Sequence, residues 1–112
     1  MSSSSIDGVV IACMDYRFVS SVMRYASDVG LGEGTFDLVC IKGGAGNFEQ
    51  LRSHLITSRD LHDPQSVHLL IHEDCGYEAS EADFDEAVRI AKEIFGSEVP
   101  ILTRFLNHSC TH

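Results

Sequence analysis

Apolar residues fall along this chain in two alternating rhythms. Short runs dense in Val, Ile, Leu and Phe occupy residues 6–13, 36–41, 66–72 and 99–105. Runs of that length, rich in β-branched side chains, predict buried strands. Between them, apolar positions recur every three or four residues. Phe18, Val22, Tyr25, Ala26 and Val29 form one such stripe over residues 17–29, and Gly30 stands where a helix-ending glycine belongs. Phe48, Leu51, Leu55 and Ile56 form a second, with Asn47 and Gln50 spaced as a capping box and Pro64 as its outer limit. Phe84, Ala87, Val88, Ala91, Ile94 and Phe95 form a third over residues 81–95, capped by Ser80 and closed by Gly96.

The order β-α-β-α-β-α-β predicts an α/β fold of three layers, with a central parallel sheet of about four strands and helices on both faces. The crossovers are expected to be right-handed. A chain of 112 residues, 44% hydrophobic and 22% charged, fits one domain with one modest core. The organisation expected is a disordered start over residues 1–5, one α/β domain over residues 6–106, and a polar tail over residues 107–112.

Charge narrows the partners. Lys and Arg number 8 against 17 Asp and Glu, a formal net charge of −9. Such a domain is repelled by nucleic-acid phosphates and by anionic membranes, so neither is an expected partner. The apolar stretch over residues 9–14 is too short to span a bilayer, and no targeting segment is visible, so the cytoplasm is the expected location. In that reducing compartment Cys13, Cys40, Cys75 and Cys110 read as metal ligands or catalytic groups before they read as disulfides.

Three chemistry-bearing segments fall at strand ends. Cys13-Met-Asp-Tyr-Arg17 ends the first strand, Gly43-Gly-Ala-Gly-Asn47 the second and His72-Glu-Asp-Cys-Gly76 the third. Ligands of open parallel sheets bind at the carboxyl ends of the strands, so these segments are expected to meet. Two Cys and one His are the donors zinc prefers. His72 and Cys75 grip an ion from one turn, and Cys13 reaches it from the neighbouring strand. Three protein ligands leave a fourth position for water or for Asp15, and water beside zinc has a pKa near about 7. Asp15 has two possible tasks: to complete the zinc shell, or to pair with the Arg17 guanidinium and accept a hydrogen bond from zinc-bound water.

These residues resemble the β-class carbonic anhydrases. That family carries Cys-x-Asp-x-Arg after its first strand, an Ala-Gly-Asn-like turn after its second and His-x-x-Cys-Gly after its third. Here they read Cys13-Met-Asp15-Tyr-Arg17, Ala45-Gly46-Asn47 and His72-Glu-Asp-Cys75-Gly76, within a likeness covering about residues 6 to 105. The resemblance implies Zn2+ held by Cys13, His72 and Cys75, with Asp15 and Arg17 as a catalytic dyad and Asp15 as a possible fourth ligand in a closed state. It implies a zinc lyase (carbonate dehydratase) that reversibly hydrates carbon dioxide to bicarbonate through zinc-bound hydroxide. It implies a homodimer or higher homo-oligomer with the site near the interface. Gly44, Ala45, Gly46 and Gly76 are expected to line the substrate pocket. The chain departs from the family at Tyr16, where Ser or Ala is usual, and at Gly43-Gly44, where Arg-Asn is usual.

Other readings stand beside this one. A non-catalytic zinc protein of the same fold would keep Asp15 on the metal. A relative of the fold could hydrolyse carbon disulfide or carbonyl sulfide. A thiol enzyme using Cys13 would leave His72 and Cys75 idle. Cys40 is expected to face the strand interior as packing, Lys42 to be solvated, and Asp74 to cap its turn. Phe18, Met23, Tyr25 and Phe84 read as core or dimer contacts. His108, Cys110 and His112 could bind metal, but a polar tail reads first as disorder.

Overall fold

The computed structural model describes residues 5–107. The strands are β1 (Gly8–Cys13), β2 (Phe36–Ile41), β3 (Val67–His72) and β4 (Ile101–Leu106), and the helices are α1 (Val19–Asp28), α2 (Phe48–His62) and α3 (Phe84–Phe95). All described pairings are parallel, in the order β2-β1-β3-β4. This is the three-layer α/β arrangement that the alternating rhythms predict.

Strand periodicity sorts the core into two halves. Val9, Ile11, Val67, Leu69 and Ile71 point to one face and pack with Leu51 and Leu55 of α2 and Ala87, Ile90 and Ala91 of α3. Val10, Ala12 and Leu70 point to the other and pack with Phe18 and with Val22, Tyr25 and Ala26 of α1. β1 and β3 are thus covered on both faces, which explains their unbroken apolar runs.

The boundaries shift where the backbone finds other partners. β1 starts two residues later than its apolar run because the N–H groups of Ile6 and Asp7 donate to the carbonyls of His62 and Thr35. Helical backbone begins as a short 3-10 turn, Tyr16–Phe18, and α1 follows it. Asn47 caps α2 by accepting the Gln50 N–H at 3.4 Å. The reciprocal half of the expected capping box is replaced, since the Asn47 N–H donates to the Gly44 carbonyl. The Ser80 N–H donates to Asp83 at 2.9 Å, opening a 3-10 turn that runs into α3.

Ser5 donates to the Asp63 carbonyl and accepts from Gln65. One expectation is corrected here. Cys40, expected to pack inside, is exposed. Its register partner Ala12 lies under α1, but on the edge strand β2 Phe36 packs against that cluster while Leu38 and Cys40 beyond it are exposed. The rest of the expected disordered start, residues 1–4, and the metal-binding reading of His108, Cys110 and His112 lie outside the described residues.

Candidate metal centre

Parallel pairing places the carboxyl ends of β1 and β3 side by side, and the chain turns there into polar sequence. Cys13 is the last residue of β1, His72 the last of β3, and Cys75 lies in the loop beyond. Their donor atoms all lie within 4.8 Å of one another, the one such group of three among the described residues. Zinc with sulfur at about 2.3 Å and nitrogen at about 2.0 Å would need them to draw in by no more than about 1 Å.

His72 is 2% exposed and stacks on Phe18, with ring centroids 4.2 Å apart. Its Nδ1 lies 2.6 Å from the Glu73 carbonyl. A carbonyl only accepts, so Nδ1 carries the proton and Nε2 presents a lone pair. Among the described residues, Nε2 is the one buried side-chain nitrogen or oxygen without a hydrogen-bond partner. An unmet buried acceptor is costly, and a cation between it and two sulfurs removes that cost. Holding a ligating His by its other nitrogen is the usual support of a metal site. On this observation the three residues fit a zinc ion.

Burial pushes the Cys13 thiol above its ordinary pKa, backbone N–H groups of Asp15 and Gly43 oppose the rise, and the Cys75 sulfur adds to it. A divalent cation reverses that balance, because ligation stabilises the thiolate directly.

Asp15 and Arg17 are paired. The guanidinium donates from Nε at 3.1 Å and from Nη2 at 2.7 Å, and the Arg17 backbone N–H adds a bond at 2.9 Å. These bonds hold the Asp15 carboxyl down at about 2, so it is ionised and purely an acceptor at neutral pH. Nη2 also donates to the Asp74 carbonyl at 3.0 Å, tying the dyad to the loop of Cys75. Asp15 Oδ2 stands 3.7 Å from His72 Nε2, near the donors but engaged elsewhere.

An open pocket of about 800 Å3 lies over the group, lined by Cys13, Met14, Asp15, Tyr16, Arg17, Lys42, Gly43, Cys75, Gly76 and Tyr77. Gly76 is among the lining residues. Gly44, Ala45 and Gly46 are not in the wall. Gly44 and Ala45 are buried beneath, and a Cβ on Gly44 would stand 2.6 Å from the Leu70 carbonyl and 2.9 Å from the Cys13 nitrogen. Gly46 packs on Ala79. The turn lets backbone approach the two central strands, and of its four residues Gly43 alone lines the pocket. Lys42, expected to be merely solvated, reaches over the Tyr77 ring at 5.6 Å, and Asn47 Nδ2 holds the Lys42 carbonyl at 2.9 Å. Met14, Tyr16 and Tyr77 were not singled out as pocket residues. Their adjacency to Cys13 and Gly76 was the available signal.

No protein-family model matches the chain, and comparison with curated protein sequences finds no match. Solved structures do match. A carbonic anhydrase from Streptococcus mutans is 17% identical, with a TM-score of 0.64 over 94% of this chain and 78% of that one. A carbonic anhydrase from Glaciozyma antarctica is 16% identical, with a TM-score of 0.59 over 97% of this chain and 83% of that one. At such identities the likeness is one of backbone, and the fold of this chain is the carbonic anhydrase fold.

Proposed function

We propose that the chain binds one zinc ion through Cys13, His72 and Cys75 and catalyses the reversible hydration of carbon dioxide. The observation that carries this reading is His72 Nε2, buried, unpartnered and grouped with two sulfurs. A zinc ion held there supplies Lewis acidity, which makes water a nucleophile near neutral pH. The protein's own groups do the rest. His72 is fixed in one tautomer by Glu73 and in one plane by Phe18. Arg17 holds Asp15 as an ionised acceptor beside the donors, oriented to take a hydrogen bond from the attacking water and to keep off the metal. The walls contributed by Met14, Tyr16 and Tyr77 suit a small apolar substrate, and Arg17 and Lys42 at the rim suit an anionic product.

A second reading has an observation of its own. Asp15 Oδ2 is 3.7 Å from His72 Nε2, so a change of its rotamer would make it the fourth ligand of a closed, non-catalytic zinc site. Stopped-flow hydration of carbon dioxide by the zinc-loaded chain separates the two. Turnover that disappears in Cys75→Ser supports the enzyme. A zinc-replete chain with no turnover at any pH supports the closed site.

The proposal includes a homodimer. Met14, Tyr16, Val19 and Met23 are large, exposed and close together in sequence, with Tyr16 83% exposed, and apolar surface of this kind is covered in many assemblies. The cytoplasm suits the reading, because reducing conditions keep Cys13 and Cys75 as thiols able to take a metal. No described helix is long and apolar enough to cross a membrane.

A further inference from the structure

We infer that Cys13 and Cys75 are an oxidisable pair, which a peroxide joins as a disulfide and thereby strips of its metal. Metal release rests on the zinc reading above, whereas the cross-link depends on the two sulfurs alone.

The sulfurs lie within 4.8 Å of each other, and both residues are partly exposed and line the same open pocket. A small peroxide therefore reaches them from solvent. A disulfide needs sulfurs about 2.05 Å apart, so one residue must move. The two stand on unequal ground. Cys13 ends a central strand, and the next N–H, of Met14, is bonded to the Ile41 carbonyl at 3.0 Å. Cys75 sits in a loop without regular structure, between Asp74 at φ 54° and Gly76, whose absent Cβ would meet no atom within 4 Å. Cys75 packs against the core edge and its carbonyl takes the Glu78 N–H at 2.8 Å, but it lies outside the sheet ladder with open space beside Gly76, so Cys75 rather than Cys13 is the residue that closes the gap.

The chemistry balances as two thiols plus one hydrogen peroxide giving one disulfide and two waters. One sulfur attacks a peroxide oxygen, the O–O bond breaks, and a sulfenic acid and water form. The second sulfur attacks the first, the S–O bond breaks, and its oxygen leaves with a proton as the second water. Two sulfur atoms are oxidised and two peroxide oxygens are reduced. From the zinc-loaded chain two protons are taken up and Zn2+ leaves, since a disulfide is no thiolate ligand and His72 alone remains.

The test uses the full zinc-loaded chain carrying Cys40→Ser and Cys110→Ser, which leaves two of its four cysteines. Hydrogen peroxide is added, zinc release is followed with a chromogenic chelator, thiols are counted, and peptides are mapped without reduction. The result expected is one zinc released as two thiols vanish, a Cys13–Cys75 linked peptide, and recovery of thiols and zinc binding with dithiothreitol. Zinc retained through thiol loss would overturn the inference, and so would sulfinic acids without a linked peptide. A chain that purifies without zinc and takes none up sinks the zinc reading. The linked peptide then still decides the cross-link.

Discussion

His72 carries more of the site than its single donor suggests, because three contacts converge on one ring. Phe18 sets its plane, the Glu73 carbonyl sets its tautomer, and Nε2 is left facing two sulfurs. His72→Ala is expected to lower zinc affinity by roughly 100-fold or more, read as zinc per chain after dialysis against a weak chelator. Arg17→Ala acts on a different step. It releases Asp15 without removing a ligand, so zinc content should hold while hydration falls on the order of 10²-fold. Gly44→Ala tests the turn. With φ at 54° and the Leu70 carbonyl 2.6 Å from the added Cβ, it should destabilise the chain by about 1–3 kcal/mol in urea unfolding. The position of Cys13, His72 and Cys75 was legible from sequence because strand ends are points the topology brings together. The position of Gly44 and Ala45 was not. A glycine-rich turn admits close approach on either side, and only the packed strands decide that Gly44 sits inward, against Leu70 and Cys13, while Gly43 lines the pocket.

At the scale of elements, β3 carries a polar surprise in an apolar run. His68 is buried, with Nδ1 2.7 Å from the Tyr25 hydroxyl of α1 and Nε2 2.8 Å from Ser66. Ser66 donates to the Asp7 carbonyl, so it accepts from His68 Nε2–H, and Tyr25 donates to Nδ1. Burial holds His68 below its ordinary value of 6.5. Its folded pKa is thus below its unfolded one, and protons bind the unfolded chain better. The stability it contributes is full above pH 6.5 and is lost as pH falls below that value. Urea midpoints at pH 7.5 and pH 5.5 should differ, and His68→Gln should reduce the difference. Helix and strand identities followed from periodicity, and β2 matched its apolar run to the residue. Periodicity tells which side a residue faces, not whether a helix covers that side. Cys40 was misplaced for that reason, since on the edge strand Phe36 joins the α1 cluster but Leu38 and Cys40 are left exposed.

The whole molecule joins a sheet covered over its middle strands to a pocket open at the strand ends. Met14 and Tyr16 line that pocket, Val19 and Met23 follow them in α1, all four are exposed, and a second copy would bury them. Sedimentation of the zinc-loaded chain should report a dimer, and Met23→Glu should shift it toward the monomer. One unchanging monomer at all concentrations would remove the dimer from the account. The zinc shell itself is read most directly by X-ray absorption at the zinc edge of the loaded chain. The account predicts two sulfurs at about 2.3 Å and one imidazole nitrogen at about 2.0 Å, with one further light atom. A shell of nitrogen and oxygen alone, or a chain that takes up no zinc, would contradict it.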